Sequence, residues 1–99
     1  MDSKLSDDIL GVSADALVEL LKAKRWNDAR DWLFQHAYLH PRQVERELYN
    51  ALQPKLTNQG RVAAVMAFGE YSSKIGQGAD PVITLLALAT QIMMECEFA

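Results

Sequence analysis

The chain has 99 residues, 49% of them hydrophobic and 23% charged, a balance that folds around one core and leaves no length for a second. Thirteen acidic against ten basic side chains, a net charge of −3, exclude a surface that grips DNA or RNA by its phosphates, which needs concentrated positive charge. The single cysteine, Cys96, can close no internal disulfide, and MDSKLSDDIL has neither the basic start nor the apolar run of a signal peptide, so a reducing, cytoplasmic compartment is expected.

Apolar residues recur at a spacing of three to four and nowhere alternate over several residues, so the expected fold is all-α, a single bundle of about five helices. Residues 1–12 read as a polar lead and residues 13–99 as one helical domain. In VSADALVELLKAK, Ser13 is placed to cap the first helix, with Val12 and Leu17 as a hydrophobic staple and Leu17, Val18, Leu20 and Leu21 as the buried stripe, ending near Lys24. Asn27 is expected to cap the second helix, in which Ala29, Trp32, Leu33, His36 and Ala37 share a face. Pro41 stops that helix and suits the first turn of a third, lined by Val44, Leu48, Ala51 and Leu52 and ended or kinked by Pro54.

Thr57 or Asn58 should start the fourth helix, with Val62, Val65, Met66 and Gly69 expected to face inward. The fifth opens with Asp80 as cap and Pro81 in the first turn. It is apolar around most of its circumference (Val82, Ile83, Leu85, Leu86, Leu88, Ile92, Met93), which predicts a helix surrounded by protein yet too short to span a bilayer. Trp26, Phe34, Tyr38, Tyr49 and Phe68 fall off these stripes and predict contacts beyond the monomer.

The segment EYSSKIGQGADP raises the question of a phosphate loop. Gly76 and Gly78 follow a helix and not a strand, no third glycine completes G-x-G-x-x-G, and no Gly-Lys pair exists, so the reading is a helix C-terminus followed by a fresh cap. His36 and His40 are four apart, as a zinc pair would be, but lack a third ligand at a sensible spacing. Glu95 and Glu97 point to different sides of a helix, and Cys96 reads as a buried, inert thiol. No catalytic, cofactor or metal residue is therefore assigned.

Two resemblances follow from the residues. LLKAKRWNDARDWLFQHAYLHP resembles one tetratricopeptide repeat, with Trp26, Ala29, Leu33 and Pro41 at that repeat's spacing, but Lys24 and His36 replace its usual glycine and alanine. A second copy is out of register. What this implies is an adaptor or chaperone binding a peptide on a concave face that carries Arg30, Trp32 or Tyr38.

From about Ser13 to Phe98, the order LVELLKAKRWNDARDWL, VERELYNAL, AVMAFGEYSSKIGQGADPVITLLALATQIMMECEF resembles the C-terminal collar domain of sliding-clamp loader small subunits. This is the replication factor C family, in its T4-type phage form. The resemblance implies a non-catalytic oligomerisation domain that holds subunits in a ring during DNA replication. Its partners would be further copies or other clamp-loader subunits, with the sliding clamp and DNA reached only indirectly and the host cytoplasm as the site if a phage encodes it. The family's ATPase module is not in this sequence, so an excised or separately encoded collar is expected. Family interfaces are helix faces, and the positions chosen for subunit contact are Arg61, Phe68, Tyr71, Lys74, Met94 and Phe98.

Overall fold

The computed structural model describes residues 14–38 and 40–99. Five helices follow one another: α1 (Asp15–Lys22), α2 (Trp26–His36), α3 (Pro41–Leu52), α4 (Asn58–Gly76) and α5 (Pro81–Glu95), with a short 3-10 turn at Gln53–Lys55 between α3 and α4. The expected cap at Ser13, the staple at Val12 and the polar lead lie outside the described residues.

Helix α5 is the centre of the bundle. It packs on α1, α2, α3 and, most extensively, α4. Val82, Leu85, Leu88, Ala89, Ile92 and Met93 are its buried positions, and all of them but Val82 join Leu17, Val18 and Leu21 of α1, Leu33 of α2 and Val44, Leu48 and Leu52 of α3 in one core. The all-helical architecture and the central placement of the most apolar helix agree with the sequence reading. Ile83 differs from it: it is exposed, on the same side of α5 as Met94, a position chosen from sequence for subunit contact, which is exposed as well.

The local starts and stops are set by short-range chemistry. Asp80 accepts from the backbone N–H groups of Val82 and Ile83 at 3.0 and 2.9 Å, and Thr57 accepts from that of Gly60 at 3.1 Å, so two helix starts have side-chain caps. Helix α4 runs to Gly76, and Gly78 then takes the left-handed conformation at φ 93°, donating to the Ile75 carbonyl. The glycine pair thus closes a helix end.

One helix start and one helix face differ from expectation. Helix α2 begins at Trp26 and not beyond Asn27, because Lys24 adopts φ 61° and turns the chain so that the Arg25 carbonyl takes the first helical hydrogen bond, from Ala29. In α4 the buried residues are Gly60, Ala64, Ala67, Phe68 and Tyr71, so Val62, Val65, Met66 and Gly69 face outward instead of inward. Phe68 and Tyr71 decide this, since turning two aromatic side chains inward removes more apolar surface from water than turning two valines and a methionine.

The C-terminal tail leaves α5 and crosses the start of α4. Leu56 and Phe98 form an antiparallel bridge, the Thr57 N–H donates to the Glu97 carbonyl at 3.1 Å, and the Ala99 N–H donates to the Lys55 carbonyl at 2.9 Å. The Thr57 hydroxyl also donates to the Glu97 carboxylate at 2.8 Å. Gly60 lies directly under this crossing.

Candidate functional site

Helix α4 has two apolar faces. One, from Gly60 to Tyr71, is closed against the core. The other carries Val62, Val65 and Met66, whose fractional exposures are 66%, 51% and 70%, and continues over Gly69 into Ser73. Spacings of three, four and seven residues put these side chains on a single stripe. At Gly69, two turns along from Val62, an added Cβ would meet nothing within 4 Å, so the stripe lies open to solvent there.

Polar groups flank the stripe without covering it. The Arg61 guanidinium donates through Nε to the Gln53 carbonyl at 2.8 Å and through Nη1 to Asn58 at 3.1 Å, bracing the start of the helix. Glu70 and Lys74 are paired at 3.8 Å on the other side. An exposed pair of this kind contributes little stability and itself adds no net charge to the face.

A second exposed surface lies on the opposite side of α5, where α2 packs. The Trp26 indole N–H donates to the Thr90 hydroxyl at 2.8 Å, and Thr90 in turn donates to the Leu86 carbonyl at 2.8 Å. The Arg30 guanidinium sits 5.4 Å from the centre of the Trp26 ring. The indole is held in one position while part of it remains in water, with Phe34 and Tyr38 further along exposed as well.

Of the positions chosen from sequence for subunit contact, Arg61, Lys74 and Met94 are exposed and Phe98 is half-buried in the tail bridge. Phe68 and Tyr71, expected at the surface, are only 6% and 2% exposed, because they are the anchors that turn α4 onto the core. Phe68 meets Tyr49 edge-on with ring centres 5.1 Å apart, which takes Phe68 into the interior and leaves Tyr49 half-buried at its edge. Tyr71 and Lys74 share the wall of a shallow groove of about 190 Å³ between α4 and α5, lined also by Glu70, Leu88 and Gln91. The six positions do not converge on one patch.

Burial acts on two titratable groups. Desolvation raises the Tyr71 hydroxyl above its ordinary value, with the Glu45 carboxylate adding to the rise and the Arg42 guanidinium opposing it; its oxygen has no hydrogen-bond partner. Desolvation likewise raises the Cys96 thiol, helped by Glu95. His36 packs against Trp32 with ring centres 4.6 Å apart and ends α2, while His40 precedes α3. Trp32 is buried, so of Arg30, Trp32 and Tyr38 it is withdrawn from any concave face. Among the described residues no three His, Cys, Asp or Glu side chains come together as a metal site requires, and no helix is long and apolar enough to cross a membrane.

The outward stripe of α4 is the feature that sequence reasoning missed. Its signal was present in the apolar residues at both 62, 65, 66 and 64, 67, 68, 71, two stripes on one helix, of which only one can face the core. Comparison of the chain with protein-family models, curated proteins and solved structures finds no match in any of the three.

Proposed function

We propose that this chain is a non-catalytic interaction domain of the clamp-loader collar type, holding subunits of a sliding-clamp loader together during DNA replication. The observation that carries this reading is the second apolar face of α4, which the fold itself does not use. Three exposed aliphatic side chains aligned in one stripe on one helix have the form of a helix-face protein contact. The five-helix body around α5 and the acidic charge balance support the same reading, because a collar contacts its neighbours by helix faces and leaves nucleotide and DNA to other modules.

Co-expression with the ATPase subunits of a T4-type clamp loader, followed by affinity capture and light scattering at several concentrations, tests the proposal. Capture of the ATPase subunits is expected, with Met66→Lys reducing it at least tenfold. A chain that captures none of them and stays monomeric at every concentration would end the proposal.

A further inference from the structure

We infer that the crossing over Gly60 is a binding site for a short extended peptide segment in which a glutamate is followed by a large apolar residue. This chain fills the site in cis with residues 97–99, and a matching segment of another protein enters when that strap opens. Gly60 belongs to the inward side of α4, so the site is separate from the outer stripe and does not depend on it.

The bound strap shows how the site reads its occupant. The Thr57 N–H donates to the Glu97 carbonyl at 3.1 Å, and the Lys55 carbonyl accepts from the Ala99 N–H at 2.9 Å, main-chain bonds that any extended segment can make. Two side chains add selectivity. The Thr57 hydroxyl donates to the Glu97 carboxylate at 2.8 Å, and Phe98 packs on the core beside Leu56. Gly60 completes the site, because a Cβ there would occupy the space of the Glu97 backbone.

The same contacts are few enough to break locally. Residues 97–99 belong to no helix; Glu97 and Ala99 are exposed and Phe98 is half-buried, whereas Leu56 beneath them is buried. Two backbone bonds and one exposed side-chain bond give way long before α5 leaves the core. Being tethered, the strap refills the site at an effective concentration of roughly 1 mM, so a free segment with the same three contacts competes poorly against it. A partner wins by adding contacts outside the site, or where the strap is weakened.

Hydrogen exchange in the intact chain reads the opening. The Thr57 N–H should exchange about a hundredfold faster than the Leu88 N–H, with no dependence on urea below the unfolding transition. Exchange of Thr57 in step with Leu88 would mean that strap and core open together, and would overturn the inference.

Occupancy in trans is read with the acetylated, amidated tetrapeptide Ser-Glu-Phe-Ala. The full chain carrying Glu97→Gly and Phe98→Gly keeps the length of the strap but lacks both side chains that hold it. Amide shifts at Lys55, Thr57 and Gly60 of this variant should saturate with a Kd of about 1 mM, and binding to the wild type should be roughly tenfold weaker. Adding Gly60→Ala to the variant should leave it as stable or more so, since the backbone it would strike is no longer held there, yet abolish peptide binding. A strap with only a structural role gives no such split. Absence of a saturable shift up to about 10 mM peptide, equal binding to the wild type, or binding that survives Gly60→Ala would each refute the site.

Discussion

At Gly60 the absence of a side chain is what allows the tail to cross α4. A Cβ there would overlap the Glu97 carbonyl oxygen, which is backbone and cannot rotate away. Gly60→Ala should therefore cost about 1–3 kcal/mol, read as a lower midpoint in urea. Gly69→Ala, made in the same helix where the added methyl meets nothing, should instead gain about 0.5–1 kcal/mol. The opposite signs of one substitution at two sites nine residues apart separate packing from propensity. Tyr71 gives a second residue-scale expectation. Its hydroxyl is buried without a partner, so Tyr71→Phe should leave stability unchanged or raise it slightly. The raised pKa means that the unfolded chain releases this proton first. Stability should consequently fall as pH climbs from about 10, and urea midpoints measured at pH 9 and pH 11 should differ less in Tyr71→Phe than in the wild type.

Among the helices, what could be foreseen was what is decided within a few residues. Asp80 and Thr57 act as caps, Pro41 and Pro81 occupy first turns, and Gly78 closes α4, all as their side chains dictate locally. Asp80→Ala should cost about 1 kcal/mol, and Thr57→Ala somewhat more, since Thr57 also holds Glu97; thermal melts of the two variants would show the difference. The start of α2 could not be foreseen, because it follows from the left-handed backbone of Lys24, whose ammonium donates to the Met93 carbonyl at 2.6 Å across the fold. The orientation of α4 was hidden for a related reason. Two apolar stripes on one helix give no single preferred face, and the choice is made by the partners that Phe68 and Tyr71 find on other elements. The candidate interface was thus the part least legible in the sequence: the residues proposed for it included the two that hold the core, and missed the three that the core leaves out.

For the molecule as a whole, α5 is the element every other helix needs. Leu85→Ala, at a position with no exposure and neighbours on several sides, should cost about 2–5 kcal/mol, whereas Ile83→Ala on its wet side should stay within about 0.5 kcal/mol; chemical denaturation of both checks the contrast. The tail that follows α5 then locks the junction of α3 and α4 through Leu56 and Phe98. This arrangement has a consequence for biosynthesis. The ribosome delivers α1 to α4 before the helix on which they converge, so α1 can pack on α2 and α3 during translation while both apolar sides of α4 stay in water. Completion of the core must wait for the last of the five helices, and a stalled chain ending before Pro81 is expected to be a substrate for chaperones or proteases, as release of such arrested chains into a translation extract would reveal.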